Sequence, residues 1–291
     1  MAYPTLSDLI RGLTGIDIWL PLPTFGLMVG FAFFVGMHLA TREANRLMPD
    51  QPREFMGNAC IWAFLAGILG ARLFHLLEYP REFLAHPAEM LFSRSGFTIY
   101  GGLIVGALTA VWYARAKKAP IALTMDAAAP GLMIAYAIGR LGCQISGDGD
   151  WGIAADLAAK PDWLPQWFWA QTYTNNIAGV VIDPPGVYPT PIYEFAMSMV
   201  AFGVLWGLRK HTHRAGWLFW LYVLLAGVER LLIEFIRVNT TYELLGVAVT
   251  QAQLISAACI VAGAIGMFVF SRPMMKKGTD LFIDDKKIVN K

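Results

Sequence analysis

The sequence predicts an all-α fold: a polytopic membrane protein with about seven transmembrane helices and an outward-facing head or cap loop. Hydrophobic residues make up 56% of its 291 residues and charged residues only 15%, and the mean hydropathy is +0.50. This balance is far from that of a soluble domain. The apolar residues are also gathered into runs of about 20 residues, the length that a helix needs to cross the hydrocarbon core of a bilayer.

Seven such runs follow one another along the chain. They cover approximately residues 22–40, 57–77, 98–114, 123–143, 190–208, 216–236 and 249–270. No internal repeat or low-complexity tract divides them, so we expect residues 1–291 to form a single integral membrane domain. An odd number of spans places the two termini on opposite sides of the membrane.

Lysine and arginine are distributed unevenly between the two sides. The loops after the first, third and fifth spans and the C-terminal tail contain fifteen of them, whereas the opposite side contains five, namely Arg11, Arg81, Arg94, Lys160 and Arg237. Because positively charged loops stay in the cytoplasm, we expect the N-terminus outside and the tail, residues 271–291, in the cytoplasm. The net charge of +2 does not point to a particular partner, and no nucleic acid is expected.

One outward loop, residues 144–188, is much longer than the others. It is rich in proline and in aromatic residues, the latter being Trp151, Trp163, Trp167, Trp169 and Tyr173. Aromatic rings with a polar edge suit the headgroup layer of a membrane. Long loops in compact proteins usually have a function, so we expect this loop to form a cap over the outer face.

Three arginines interrupt the apolar segments: Arg72, Arg140 and Arg230. A guanidinium at the centre of a bilayer costs about 2.5–3.5 kcal/mol even on the lenient insertion scale, and by default such a residue marks a functional site. Three permanent cations in a membrane indicate an anionic ligand. The commonest anion there is a lipid phosphate.

Arg230 is followed at helical spacing by Glu234 and Arg237, which would place the three on one helical face. Glu229 and Glu234 flank Arg230 closely enough to neutralise it. One interpretation is an internal salt bridge that fixes helix packing. The other is a phosphate clamp, since the planar guanidinium matches anionic oxygens bidentately.

Arg140 opens a glycine-dense stretch, residues 139–152, that includes Gly142. Glycines let the backbone approach a ligand closely and expose amide N–H groups. The stretch lacks the ending of a Walker loop. It resembles the start of a calcium loop at Asp148, but the twelfth position is Ala159 rather than glutamate. We expect no metal and no cofactor.

Tyr100, Gly101 and Gly102 open the third span from its outer end. The tyrosine hydroxyl could donate a hydrogen bond or carry a proton. The alternative is a belt tyrosine at the membrane interface, a position where tyrosine is common.

The order of these elements resembles the prolipoprotein diacylglyceryl transferases of bacterial inner membranes, from about residue 23 to residue 270. The motifs that carry the resemblance are Thr41-Arg-Glu-Ala-Asn-Arg46, Gly70-Ala-Arg72, Tyr100-Gly-Gly-Leu-Ile104, Asp126, Gly139-Arg-Leu-Gly142 with Trp151-Gly152, Tyr188-Pro-Thr-Pro-Ile-Tyr-Glu194, Arg230-Leu-Leu-Ile-Glu-Phe-Ile-Arg237 and Gln253. Any one of these motifs is weak alone, but together and in order they are specific.

The resemblance implies an enzyme that transfers the diacylglyceryl group of phosphatidylglycerol to the lipobox cysteine of prolipoproteins. Its implied partners are phosphatidylglycerol, the signal peptides of prolipoproteins and membrane lipids, and its cap would be periplasmic. The alternative is a phospholipid-binding or other headgroup-transferring membrane protein on the same scaffold, without lipoprotein transferase activity.

Carried over residue by residue, the two central arginines of the family fall on Arg140 and Arg230, and Tyr100 stands where the family has a histidine before Gly-Gly. These three are the candidate catalytic residues. The carboxylate after the glycine stretch falls on Asp148 or Asp150. The candidate substrate-binding residues are Arg72, Gly101, Gly102, Gly142, Asp148, Asp150, Tyr193, Glu194, Glu234 and Arg237.

Overall fold

The structure, a computed structural model, describes residues 1–93, 96–211, 213–239, 241–244, 247–271 and 282–283. Within these ranges the chain is built mainly of helices. They are α1 (Leu6–Thr14), α2 (Thr24–Leu47), α3 (Phe55–Glu78), α4 (Pro80–Ala85), α5 (Pro87–Phe92), α6 (Ile99–Ala116), α7 (Ile121–Ser146), α8 (Gln166–Trp169), α9 (Thr190–Leu208), α10 (Trp217–Glu234) and α11 (Gln251–Ser271).

Four short strands form two antiparallel pairs within the described part of the chain. β1 (His213–Arg214) pairs with β4 (Phe282–Ile283). β2 (Thr241–Leu244) and β3 (Val247–Thr250) pair with each other directly before α11. With so little strand, the predicted all-α class is confirmed.

Each of the seven predicted spans is a helix in the structure. Six of them, α2, α3, α6, α7, α9 and α11, are long and apolar enough to cross a membrane. The seventh, α10, has 18 residues and carries Glu229, Arg230 and Glu234. The protein is therefore a multi-pass membrane protein, and the crossing by α10 stays a prediction.

The chain divides into two compact units, one of residues 40–128 and one of residues 1–39 with 129–291. In the unit of residues 40–128, α3 and α6 pack along small residues. A Cβ atom added to Gly70 would lie 2.6 Å from the carbonyl oxygen of Gly101, so only glycine allows the two backbones to approach this closely. At the other end of the pair, Phe55 stacks on Tyr113 with ring centroids 5.9 Å apart.

The other unit contains α1, α8–α11 and the adjoining parts of α2 and α7. Its main apolar cluster joins α7, α9 and α10 through Met133, Ala201, Leu205, Leu218 and Leu221. This cluster holds together the three helices whose polar residues meet in the site described below.

The irregular segment of this unit comprises residues 147–189, because α7 continues to Ser146 and so runs past the predicted start of the cap loop at residue 144. The segment contains α8 and is tied to its surroundings by isolated bridges, of Gly152 with Arg237 and of Val187 with Gln171. We call it the cap segment. The predicted tail, residues 271–291, lies outside the described residues except for positions 271, 282 and 283.

Candidate active site

Arg140 lies near the end of α7, where the carboxylates of two other elements meet it. Its Nη1 forms an ion pair with Asp150, and its Nε lies 3.4 Å from Oε2 of Glu194. Its guanidinium also lies over the ring of Tyr136, 4.8 Å from the centroid. These partners offset the cost of placing a permanent cation among apolar helices.

Asp150 bridges two arginines. One carboxylate oxygen meets Arg140, and the other accepts a hydrogen bond of 2.6 Å from Nη2 of Arg237. Burial would raise the pKa of the Asp150 carboxyl, but the hydrogen bond from Arg237 and the charge of Arg140 outweigh it and hold that pKa below its usual range. The backbone is fixed as well, because the hydroxyl of Thr190 donates to the carbonyl of Asp150. Asp150 is therefore an ionised carboxylate held in place by its partners.

Glu194, on α9, is the centre of the cluster and is fully buried. Its carboxylate oxygens lie 3.4 Å from Arg140, 3.5 Å from Arg230 and 3.5 Å from Arg237. The hydroxyl of Tyr136 donates a hydrogen bond of 3.1 Å to Oε1. One buried anion thus faces three arginines at once.

Arg230 and Glu234 form the part of the cluster on α10. Nη2 of Arg230 lies 3.0 Å from Oε2 of Glu234. The other oxygen of Glu234 accepts hydrogen bonds from the hydroxyl of Thr250, at 2.5 Å, and the amide of Asn239, at 2.7 Å. Glu234 therefore couples the arginine to the chain that leads into α11.

Arg237 belongs to the cluster, but it does not lie on the helix where the sequence predicts it. Helical spacing placed it on one face with Arg230 and Glu234, which is wrong, because α10 ends at Glu234. Arg237 instead lies in the segment after α10, where it forms an antiparallel bridge with Gly152. A Cβ atom on Gly152 would lie 2.5 Å from the carbonyl oxygen of Ile236, so this pairing requires glycine.

The charges of the cluster balance. Three cations meet three anions, and the ion pairs connect Arg140, Arg230 and Arg237 with Asp150, Glu194 and Glu234. The guanidinium groups converge from α7, from α10 and from the segment after it. Such an arrangement can hold a phosphate by several charge-assisted hydrogen bonds and can stabilise charge that develops on it.

Glu229, also expected to neutralise Arg230, has another partner. Its Oε1 accepts a hydrogen bond of 2.5 Å from the hydroxyl of Ser198 on α9, and among the described residues it forms no ion pair. Sequence reasoning missed Ser198, and it also missed Tyr136 and Thr190. The one available signal was polar side chains in apolar helices, because such groups need a hydrogen-bond partner.

The remaining candidates of this unit lie at the edge of the cluster. Tyr193 donates a hydrogen bond of 2.7 Å to the carbonyl of Phe168 in α8 and so anchors the cap segment. Gly142 faces α2, where an added Cβ would lie 3.0 Å from that of Met28. Asp148 accepts a hydrogen bond of 3.3 Å from the backbone N–H of Asp150. Substrate contact by these three residues stays a prediction.

Arg72 lies in the unit of residues 40–128, where its guanidinium binds a loop. It donates to the carbonyl oxygens of Leu91, Ser93 and Gly96, the last at 2.7 Å, and lies 4.9 Å from the ring centroid of Phe97. These contacts fix the chain between α5 and α6. A phosphate contact by Arg72 stays a prediction.

Tyr100 is in the first turn of α6 and is partly exposed, and within the described residues its hydroxyl makes no hydrogen bond. Gly101 and Gly102 face α3. Cβ atoms added to them would lie 2.5 Å from the carbonyl oxygen of Gly70 and 3.2 Å from that of Gly67, respectively. In this structure the two glycines serve helix packing, and their contact with substrate is untested.

One group in the described ranges has the composition of a metal site. Cys143, Asp148 and Asp150 each offer one ligand atom, all within 4.8 Å of one another. However, Asp150 is paired with Arg140 and Arg237, whose charges oppose a cation at the same place. The donor set therefore does not fit a metal ion.

The comparison with known proteins identifies the family of the chain. A family model described as prolipoprotein diacylglyceryl transferase matches residues 14–269, which is most of the chain. The chain belongs to the prolipoprotein diacylglyceryl transferase family. The resemblance inferred from the sequence motifs is confirmed.

Individual members of the prolipoprotein diacylglyceryl transferase family are similar over most of their length. A phosphatidylglycerol–prolipoprotein diacylglyceryl transferase of Frankia alni is 34% identical over 287 residues, covering 94% of this chain and 70% of the relative. The protein of that name from Shouchella clausii is 30% identical over 255 residues, 87% of each chain. That of Clostridium tetani is 26% identical over 256 residues, covering 87% of this chain and 94% of the relative.

Proposed function

We propose that the chain transfers the diacylglyceryl group of phosphatidylglycerol to the lipobox cysteine thiol of prolipoproteins. Its relatives bear the name of this activity. The observation that carries the proposal is the convergence of Arg140, Arg230 and Arg237, in a membrane protein, on one charge-balanced cluster. A lipid phosphate is the ligand that such a cluster fits best.

The reaction is a displacement at the glyceryl carbon that carries the phosphate. The thiol loses its proton, because the thiolate is the nucleophile. A carbon–sulfur bond then forms while the bond from the glyceryl carbon to the phosphate oxygen breaks. Glycerol phosphate leaves with the bonding electrons and takes up the proton that the thiol released, so the products contain every atom of the two substrates. No step requires a covalent enzyme intermediate, a metal or a cofactor.

In this proposal Arg140 and Arg230 are the electrostatic catalysts. Their planar groups bind the phosphate bidentately and stabilise the charge that builds on the leaving oxygen. Tyr100 takes the polar role of the family histidine. The substrate contacts are assigned to Arg72, Gly101, Gly102, Gly142, Asp148, Asp150, Tyr193, Glu194, Glu234 and Arg237.

We place the protein in the bacterial inner membrane as a single domain of seven spans. Its N-terminus and the cap segment face the periplasm, and its tail faces the cytoplasm. The asymmetry of lysine and arginine supports this orientation. The acceptor is the signal peptide region of a prolipoprotein, whose cysteine must reach the outer half of the membrane.

The direct test is complementation. A bacterium whose own transferase can be depleted should keep lipidated lipoproteins when it expresses this chain, and the readout is the mass of a reporter lipoprotein. A chain that is folded and inserted but leaves the reporter unmodified would contradict the proposed activity. If that chain still bound phosphatidylglycerol, the result would favour a lipid-binding protein.

The clamp is tested by replacing either Arg140 or Arg230 with lysine. Each variant should fold and lose turnover on the order of a hundredfold, because an ammonium cannot reproduce the two parallel hydrogen bonds of a guanidinium. Turnover is measured as lipidation of a lipobox peptide by purified enzyme.

Arg11→Lys is the matched control, since Arg11 is exposed and pairs only with Asp8 among the described residues, at 3.3 Å. It should leave turnover unchanged. If the Arg140 and Arg230 variants lipidate at near wild-type rates, the two arginines have a structural role and the clamp is rejected.

A further inference from the structure

The charge balance of the cluster poses a problem for a phosphate ligand. Three arginines already meet three carboxylates, so an added phosphate leaves the site with an excess of negative charge. In a partly buried site that excess is costly. Neutrality is kept if one carboxylate leaves as the phosphate enters.

Only one of the three carboxylates is placed to leave. The side chain of Asp150 is 31% exposed, whereas those of Glu194 and Glu234 are 0% exposed. Glu194 and Glu234 also sit on helices, while Asp150 belongs to the cap segment.

The chain directly before Asp150 has room for a small local movement. Gly147 and Gly149 have φ values of +64° and +100°, which glycine adopts without strain. A Cβ atom at Gly149 would have only Ala178 within 4 Å, at 3.9 Å. The carboxylate can therefore turn outward by rotation of its side chain and a small change at Gly149. Meanwhile the carbonyl of Asp150 stays bound to Thr190, and Gly147 stays packed against Asn176 and Ala2.

The geometry of Asp150 also matches that of the ligand. Its two oxygens meet two arginines from different elements, Arg140 on α7 and Arg237 after α10. Two non-bridging oxygens of a phosphodiester would make the same pair of contacts, and because each oxygen can accept more than one hydrogen bond, Arg237 would bind the phosphate in addition to Arg140 and Arg230.

We propose that Asp150 occupies the place of the lipid phosphate in the empty site and exchanges with it when phosphatidylglycerol binds. The inference rests on the proposed function for the identity of the lipid. Asp150 then determines specificity by being displaced and not by touching the bound lipid, because a ligand must supply an anionic group with two free oxygens to replace it. A lipid without a phosphate, such as a diacylglycerol, cannot replace it, since it would leave Arg140 and Arg237 without an anion.

The test is the affinity for phosphatidylglycerol of purified protein in micelles of a non-ionic detergent that contains no phosphate. Asp150→Asn removes the competing charge and should lower the dissociation constant on the order of tenfold. Asp150→Glu keeps the charge and should not lower it. Asp183→Asn, at an exposed position of the same cap segment, is the matched control and should bind like the wild type.

A purely structural role of Asp150 predicts the opposite, namely weaker binding by Asp150→Asn together with a lower melting temperature. Unchanged or weaker binding by a variant of unchanged stability would overturn the proposal. Soluble glycerol phosphate is titrated in parallel. If the asparagine variant binds it more tightly but not the lipid, Asp150 competes with the leaving group alone and the exchange with lipid is rejected.

A measurement on the wild type covers the case in which Asp150→Asn does not fold. Hydrogen exchange of residues 148–150 should become faster on addition of phosphatidylglycerol, because the hydrogen bond from the Asp150 N–H to Asp148 loosens when the Asp150 side chain leaves its arginines. Slower exchange would mean that Asp150 stays on its arginines and would overturn the proposal. None of these readouts requires transfer, so a protein that shows the exchange but lipidates nothing would contradict only the proposed function.

Discussion

Glu194 is the residue on which the positions of the three arginines depend. It is fully buried and faces Arg140, Arg230 and Arg237 at 3.4–3.5 Å. Replacing it with glutamine leaves the three guanidinium groups with an uncompensated charge. Removing one partner from a buried ion pair costs about 3–5 kcal/mol. We therefore expect Glu194→Gln to lower the melting temperature of the purified protein and to abolish lipidation.

Glu89→Gln is the control for that experiment. Glu89 lies on α5 with its side chain 84% exposed, and its one ion pair in the described residues is with His86, whose side chain is 67% exposed. Surface pairs of this kind contribute little, so the melting temperature should not change. A Glu194→Gln protein as stable as the wild type would show that the cluster does not need this charge.

Tyr100 is the residue whose role in proton transfer can be tested by substitution. If its hydroxyl has the role of the family histidine, Tyr100→Phe should lose activity by about a hundredfold at unchanged folded yield. Tyr100→His should retain part of the activity, because an imidazole can fill the same polar role near neutral pH. The measurement is the lipidation rate of purified variants.

Tyr79→Phe is the control, since Tyr79 is another exposed tyrosine of the same unit. It should be as active as the wild type. If the Tyr100→Phe enzyme is active, the Tyr100 hydroxyl has no role in the reaction, and the residue is an aromatic ring at the membrane interface.

Single residues of the site were predictable where their chemistry is unusual for their surroundings. Arg140 and Arg230 stood out because charge in an apolar helix is rare, whereas Glu194 became a candidate through the family resemblance. Ser198 and Tyr136 were missed, because serine and tyrosine are common in membrane helices and only the tertiary structure brings them to Glu229 and Glu194. The partners of a polar side chain depend on contacts between helices, which spacing along one helix does not contain.

At the scale of elements, the close contact of α3 and α6 makes a prediction about stability. A Cβ atom at Gly70 would lie 2.5 Å from that of Val105 and 2.6 Å from the carbonyl oxygen of Gly101. The carbonyl oxygen of Gly101 belongs to the backbone of α6 and cannot move without the helix. The Gly70→Ala substitution must therefore push the two helices apart. Overpacking of this kind costs about 1–3 kcal/mol, so we expect a lower melting temperature.

Gly203→Ala provides the matched control on α9. An added Cβ there meets nothing within 4 Å, and alanine is the better helix former. The melting temperature should stay the same or rise slightly. Equal losses in both variants would mean that the helix contact at Gly70 tolerates a methyl group.

The positions of the seven long helices were predictable, whereas the course of the chain beyond their ends at the site was not. The prediction for α10 ran to residue 236, but the helix ends at Glu234. The segment that follows pairs with the cap segment through Gly152 and Arg237. That pairing joins residues far apart in sequence, so a local pattern could not contain it.

At the scale of the whole molecule, the distribution of positive charge predicts the orientation. In a variant whose native cysteines are replaced by alanine, a cysteine at Asp183 in the cap segment should react with an impermeant maleimide added to intact spheroplasts. A cysteine at Lys210, after α9, should react only once the membrane is broken. Both positions are exposed. The reverse pattern would contradict the orientation and would place the cap segment in the cytoplasm.

The class of the molecule followed from composition alone, because a membrane imposes one requirement on every span. Each must be long, apolar and helical. This requirement concerns the average composition of a segment, so the composition of the sequence reveals it. The site depends on individual contacts between α7, α9 and α10, and composition carries no information on these.

The neutrality of the arginine cluster also constrains how the family can diverge. Removing the charge of Glu194 or Glu234, whose side chains are fully buried, leaves an arginine without its anion, which lowers the stability strongly. Loss of a cation together with the anion that it pairs with lowers the stability much less. Over evolutionary time these positions should therefore vary in couples, and related proteins that lack one of these arginines should also lack the acid that faces it.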